Sequence, residues 1–201
     1  MRLLTLARQG LLLLCGIPLF AWATSWQDGD LIFQTSRSSQ SSAVQIATGS
    51  RYSHMGMLVQ QRGEWQVLEA AATVRYTPLA DWLARGVGGH AVIKRLRTPL
   101  TPAQQASLRA AIPTYLGKPY DLTFRWSDHR IYCSELVWKL YQRTLGIRIG
   151  PLQKVRDFRL ADPRIQAQLR ARYGEQLPLD EPVVSPGAMF DDPQLQTVMK
   201  R

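Results

Sequence analysis

The chain has 201 residues, 45% hydrophobic and 20% charged, a composition that supports one globular domain able to bury a core without disulfides or a structural metal. It excludes a disordered, repetitive or charge-dense protein. The 25 Lys+Arg against 15 Asp+Glu, with a pI near 10.1, fit anionic partners such as acidic cell-wall polymers or lipid head groups, but the arginines are scattered and fit a solvated surface at least as well; no basic-aromatic interleaving indicates a nucleic-acid platform.

The N-terminus reads as a secretory signal. Arg2 and Arg8 precede an apolar run over residues 11–20, and Ala21, Trp22 and Ala23 offer small residues at the two positions a signal peptidase reads. The run is too short for a spanning helix, which needs about 20 residues, and no later stretch approaches that length. Cleavage after Ala23 is expected, giving a signal over 1–23, a single domain over 24–201 and a periplasmic protein. Cys15 leaves with the signal, so the mature chain keeps one cysteine. An odd cysteine in an exported protein points to intermolecular pairing or to a reactive thiol.

In chain order, Asp28, Gly29 and Asp30 form a turn signal before a buried strand at 31–33. A serine-rich run leads into a helix at 43–47, framed by a serine N-cap and stopped by Gly49. Residues 54–60 and 65–70 read as the arms of a hairpin, with Gly63 supplying a positive φ. Symmetry about Arg62 and Gly63 pairs Gln61 with Glu64, Met57 with Leu68 and Gly56 with Glu69. His54 and Glu69 then lie diagonally on one face, within reach across the missing side chain of Gly56. A carboxylate there can hold an imidazole in one tautomer, although a strand-end histidine and a solvent-facing glutamate are the plainer readings of each residue alone.

A short helix follows Pro78 and a strand covers 90–96, with no chemical duty for His90. Thr101 and Pro102 open a helix whose buried side is predicted as Ala106, Leu108, Ala110, Ile112 and Leu116, with Pro113 kinking or ending it. Residues 117–121 read as a turn, 122–126 as a strand and 127–130 as a loop. From Cys133 to Gly146 the spacing of Leu136, Val137, Leu140 and Tyr141 predicts a helix with the thiol in its first turn. Short strand character is expected at 147–149, a helix from Asp162 to Gly174, and a last short helix from Pro193.

Free N–H groups and the helix dipole stabilise a thiolate at a helix start, so Cys133 is either a nucleophile or a small buried hydrophobe. His54 is its first candidate base and His129 the runner-up. One cysteine and histidines at 54, 90 and 129 lack the close spacings of a zinc site, and no cofactor motif is present.

The stretch from Tyr132 to Trp138 resembles the Asp-Cys-Ser-Gly-Leu-Val signature of NlpC/P60 cell-wall hydrolases, but with the histidine strand ahead of the cysteine helix. With residues 28–33, 52–57, 67–70 and 117–121, that order is similar to the circularly permuted papain-like YiiX/YaeF group, over nearly the whole mature chain. The resemblance implies an α+β papain-like fold, an antiparallel sheet packed with helices, with Cys133 as nucleophile, His54 as base and Glu69 as the orienting residue. It offers Tyr120 and Ser134 as oxyanion or substrate contacts. Glu135 stands where the NlpC/P60 signature has glycine, which is expected to narrow or charge the cleft. The function expected is a cysteine amidase or peptidase acting on peptidoglycan stem peptides or fragments. Lipid acyl transfer or thioester hydrolysis by the same pair, and a non-catalytic wall-binding module, are the alternatives.

Overall fold

The computed structural model describes residues 25–201; the expected signal segment lies outside the described residues. Eight strands and six α-helices follow in the order β1 Leu31–Gln34, α1 Ser41–Thr48, β2 His54–Gln61, β3 Glu64–Ala70, β4 Val74–Pro78, α2 Leu79–Ala84, β5 Val92–Leu96, α3 Pro102–Ala111, α4 Cys133–Leu145, β6 Gln153–Lys154, α5 Pro163–Tyr173, β7 Pro182–Val183, α6 Pro186–Phe190 and β8 Leu195–Lys200. Six strands form one antiparallel sheet in the order β4-β3-β2-β1-β5-β8, and β6 pairs with β7.

The hairpin of β2 and β3 takes the predicted register, with Gln61 opposite Glu64 and Met57 opposite Leu68. Arg62 (φ 52°) and Gly63 (φ 84°) both adopt left-handed conformations, which matches the right-handed twist of the arms. Alternation along the strands then sorts side chains to two faces. Phe33, Met55, Met57 and Leu68 join the main core with Leu136, Val137 and Leu140 of α4 and Leu108 of α3. Ile32, Leu58 and Val67 face the other way, onto Leu79, Trp82 and Leu83 of α2.

Several expectations give way to local chemistry. Gln40, not a serine, occupies the N-cap of α1, because the Ser41 hydroxyl pairs with that of Ser53 at 2.6 Å; Gly49 ends the helix as expected at φ 69°. On α3 only Leu108 and Ile112 of the predicted apolar set are buried, joined by Tyr115, whereas Leu116 is 40% exposed. Pro113 sits in a single 3₁₀ turn that ends the helix. Residues 122–126 form no strand: the buried Asp121 carboxylate accepts from the N–H groups of Thr123 and Arg125 and from the Thr123 hydroxyl, curling the chain back. Residues 147–149 are also irregular. The C-terminus, expected as a helix from Pro193, becomes β8, because its backbone groups find partners along β5.

Candidate active site

Cys133 is the first residue of α4, where a backbone N–H has no acceptor within the helix. Gly146 closes the helix at φ 71°. The helix packs on one face of the sheet while Glu69, on β3, belongs to the opposite face with Val67. His54 joins the two sides because it opens β2, at the end of the strand.

The His54 Nε2 atom lies 2.7 Å from Glu69 Oε2. Glu69 Oε1 accepts from the Thr77 hydroxyl at 2.6 Å and from the Arg85 guanidinium, and Arg75 stands 3.6 Å away. The Trp82 ring lies beside the imidazole, its centroid 5.9 Å away at 25° to the ring plane. With Nε2 committed to Glu69, the nitrogen left to face Cys133 is Nδ1, and the thiol is the second hydrogen-bonding partner of the ring. The backbone N–H groups of Met55 and Ser134 lie near enough to the sulfur to favour its thiolate.

Electrostatics follow from these contacts. Burial pushes the His54 pKa down, but hydrogen bonds to Cys133 and Glu69 and the charges of both outweigh it and hold the ring at about 9. Burial pushes the Cys133 thiol up, and the His54 hydrogen bond, the imidazolium charge and the two N–H groups bring it below its ordinary value. The two shifts together favour a thiolate–imidazolium pair at neutral pH. Glu69, despite its burial, is lowered to about 2 by His54, Thr77 and Arg85, so it stays ionised.

Tyr120 enters by a bridge to Ile131, just before α4, and its hydroxyl reaches the sulfur. Burial and the thiolate charge keep that phenol protonated, so it remains a hydrogen-bond donor. Ser134 is different. Its fully buried hydroxyl donates to the Val184 carbonyl at 2.8 Å and fastens the C-terminal segment beside the site, so only its backbone N–H faces the chemistry. Glu135 does not narrow the cleft either: it is buried against Lys139 at 2.7 Å and lines neither pocket at the site. His129 and His90 are exposed and lie outside the cluster; the His90 Nδ1 sits 3.2 Å from the Arg201 carbonyl.

Two pockets meet at this point. An apolar one of about 850 Å³, its open mouth included, runs from Cys133 between α1, α5 and the C-terminal segment, lined by Val44, Phe158, Leu169 and Val184 among others. A larger, less uniformly apolar cleft touches His54, where Gln34, Arg37, Arg85 and Arg130 stand among apolar residues such as Ala71 and Leu122. Tyr120 lines both. Sequence reasoning missed Thr77, Trp82 and Arg85 around the His54–Glu69 pair. The alternation around Val74 and Tyr76 marks the strand that carries Thr77, but not its pairing beside β3.

A helix-start thiol facing an imidazole that is itself held by a carboxylate, on an antiparallel sheet with the histidine strand ahead of the cysteine helix, defines a papain-like arrangement in permuted order. The chain belongs to the permuted papain-like amidase family YaeF/YiiX (C92), which matches residues 25–199. It is 53% identical over 188 residues to the uncharacterized protein YiiX of Escherichia coli (strain K12), covering 94% of this chain and 92% of that one. The crystal structure of metalloprotein yiiX from Escherichia coli O157:H7 superposes with a TM-score of 0.85 at 54% identity, covering 87% of this chain and 97% of the other.

Proposed function

We propose that the protein is a periplasmic cysteine amidase that hydrolyses an amide bond in peptidoglycan stem peptides or their fragments. The observation that carries the reading is the Cys133–His54–Glu69 relay, in which both reacting groups are shifted toward the charged pair. Membership of an amidase family, the expected signal at 1–23 and the basic net charge of +10 support the substrate and the compartment.

The Cys133 thiolate attacks the amide carbonyl carbon, forming a C–S bond and a tetrahedral oxyanion. The Tyr120 hydroxyl and the Cys133 N–H are the donors available to that oxyanion. The proton on His54 Nδ1 passes to the departing nitrogen, the C–N bond breaks and the amine leaves. Water then attacks the thioester while His54 takes its proton, and the acid departs as the thiolate–imidazolium pair is restored. Glu69 fixes the ring and stabilises its cationic form throughout.

The Escherichia coli O157:H7 relative is called a metalloprotein, but the residues here do not fit a metal centre. Among the described residues no three His, Cys, Asp or Glu side chains come together as ligands. A cation beside Glu69 would also face the Arg85 and Arg75 guanidinium groups.

One observation favours a second reading, acyl transfer or thioester hydrolysis on a lipid: the pocket that opens at Cys133 is almost wholly apolar. Purified mature protein incubated with muropeptides and, separately, with phospholipid vesicles distinguishes the two. New amine termini in the muropeptides, absent with Cys133→Ala, support the amidase. Release of fatty acid with intact muropeptides favours the lipid reading, and full turnover by Cys133→Ala would falsify both.

A further inference from the structure

The two pockets divide the reacting pair between them: Cys133 lines the apolar pocket and His54 lines the arginine-bearing cleft. In acyl transfer the sulfur bonds to the acyl carbon, while the imidazole gives its proton to the departing nitrogen. The acyl part of a substrate therefore belongs on the Cys133 side and the departing amine on the His54 side. The chemistry of the cleft is then the chemistry of the leaving group, an assignment that rests on the amidase reading above.

Arg37, Arg85 and Arg130 line the cleft, and no acidic residue does. Arg85 is engaged by Glu69. Arg37 and Arg130 are exposed, and among the described residues neither has an ion-pair partner. Two unpaired guanidinium forks in a concave site match a planar carboxylate, which each can grip with paired N–H groups. A second observation comes from Gln34, which also lines the cleft and sits opposite His54 across β1 and β2. Gln34 is 1% exposed, and among the described residues neither atom of its amide has a partner. The wall of the cleft thus keeps hydrogen-bonding capacity that the protein itself does not use, which is uncommon for a buried amide outside a ligand site.

We propose that this cleft is a leaving-group subsite for an amine that carries a carboxylate, an amino acid or the acidic end of a peptide, gripped by Arg37 and Arg130. When the C–N bond breaks and His54 hands its proton to the nitrogen, the carboxylate-bearing amine is released from the cleft while the acyl group stays on Cys133 until water cleaves it.

Matched N-acyl anilides test this in the full mature chain, one releasing para-aminobenzoate and one the neutral para-aminobenzamide. The expected result is a kcat/KM roughly tenfold higher for the carboxylate, with a ratio near one in the Arg37→Ala/Arg130→Ala double variant. Equal rates in the wild type, or a ratio that survives in the variant, would overturn the subsite. Preference for a phosphonate leaving group over the carboxylate would overturn the carboxylate assignment. If neither anilide is turned over, binding of para-aminobenzoate and para-aminobenzamide to Cys133→Ala decides. Carboxylate-selective binding lost in the arginine variant leaves a carboxylate site at Arg37 and Arg130 but overturns its role as a leaving-group subsite together with the amidase reading, and binding without that selectivity removes the site altogether.

Discussion

His54 Nε2 and Glu69 Oε2 meet at 2.7 Å from the two arms of one hairpin, and this contact decides which nitrogen the thiol sees. A ring held through Nε2 presents Nδ1 to Cys133, so a proton is shared along one line from sulfur to imidazole to carboxylate. Iodoacetamide alkylation reads that line directly. Wild-type Cys133 is expected to alkylate with a midpoint below the ordinary thiol value of about 8.5. In His54→Ala, burial is opposed only by the Met55 and Ser134 N–H groups and the Tyr120 hydroxyl, without the imidazolium charge, and the midpoint should rise above that value. Identical profiles for the two proteins would mean that the pair does not function as a pair.

Glu69→Gln keeps the shape of the relay and removes its charge. An amide cannot stabilise the imidazolium, so the alkaline limb of activity should move from about 9 toward the ordinary 6.5, with turnover reduced roughly 10²- to 10⁴-fold. Stability gives an independent readout. The raised His54 contributes stability that is fully present below 6.5 and lost as pH rises through about 9. The lowered Glu69 contributes stability present above 4.5 and lost as pH falls through about 2. The urea midpoint of wild type should therefore exceed that of Glu69→Gln most between 4.5 and 6.5. A pH-independent gap would contradict the ion pair.

Glu135 carries the opposite sign. Burial lifts its pKa to about 7 against the hydrogen bond and charge of Lys139 and the N–H of Tyr132. A raised carboxyl contributes stability that is full below 4.5 and lost as pH rises through about 7. Glu135→Gln should abolish that loss, leaving Lys139 with Asp128 and the Ser127 carbonyl. Chemical denaturation of both proteins across the window checks this. A wild-type loss that persists in the variant would move its origin elsewhere.

What the sequence made legible was what local chemistry enforces. Gly63 and the alternation of β2 and β3 set a register, and that register alone puts His54 within reach of Glu69; the helical spacing behind Cys133 sets the thiol at a helix start. Thr77 and Arg85 escaped because they reach Glu69 only through the pairing of β4 with β3 and a return past α2. Residues 122–126 misled because Thr and aromatic residues favour strands, while one buried side chain, Asp121, offers their N–H groups a better partner. Pro193 read as a helix start because helix starts tolerate proline, yet it precedes an edge strand whose donors are met by β5. Both pockets lie between elements far apart in the chain, so no spacing announces them.

Gly56 supports the same hairpin by close approach. A Cβ there would stand 2.4 Å from the Val67 side chain at Cγ1 and 2.7 Å from the Leu68 carbonyl oxygen, and the second of these is backbone that cannot yield. Gly56→Ala should cost about 1–3 kcal/mol of stability. It should also lower activity beyond that, because the shift propagates two residues to His54. A variant with unchanged denaturation midpoint and turnover would show that β2 and β3 can separate freely.

The apolar pocket makes the last prediction, since its position on the Cys133 side assigns it to the acyl part of the substrate. Ala43 of α1 lines it together with Leu169 of α5, so Ala43→Trp would fill part of its volume without replacing Cys133, His54 or Glu69. Each methylene that loses its place in an apolar site is worth about 1–3 kcal/mol of discrimination. Amides with long or bulky apolar acyl groups should therefore lose at least roughly tenfold in kcat/KM, while acetyl amides are hydrolysed as before. Competition between long and short acyl amides in one reaction measures that ratio directly. If Ala43→Trp slows both alike, the acyl group lies outside this pocket; if it slows neither, α1 and α5 part to admit the tryptophan and the pocket does not set acyl length.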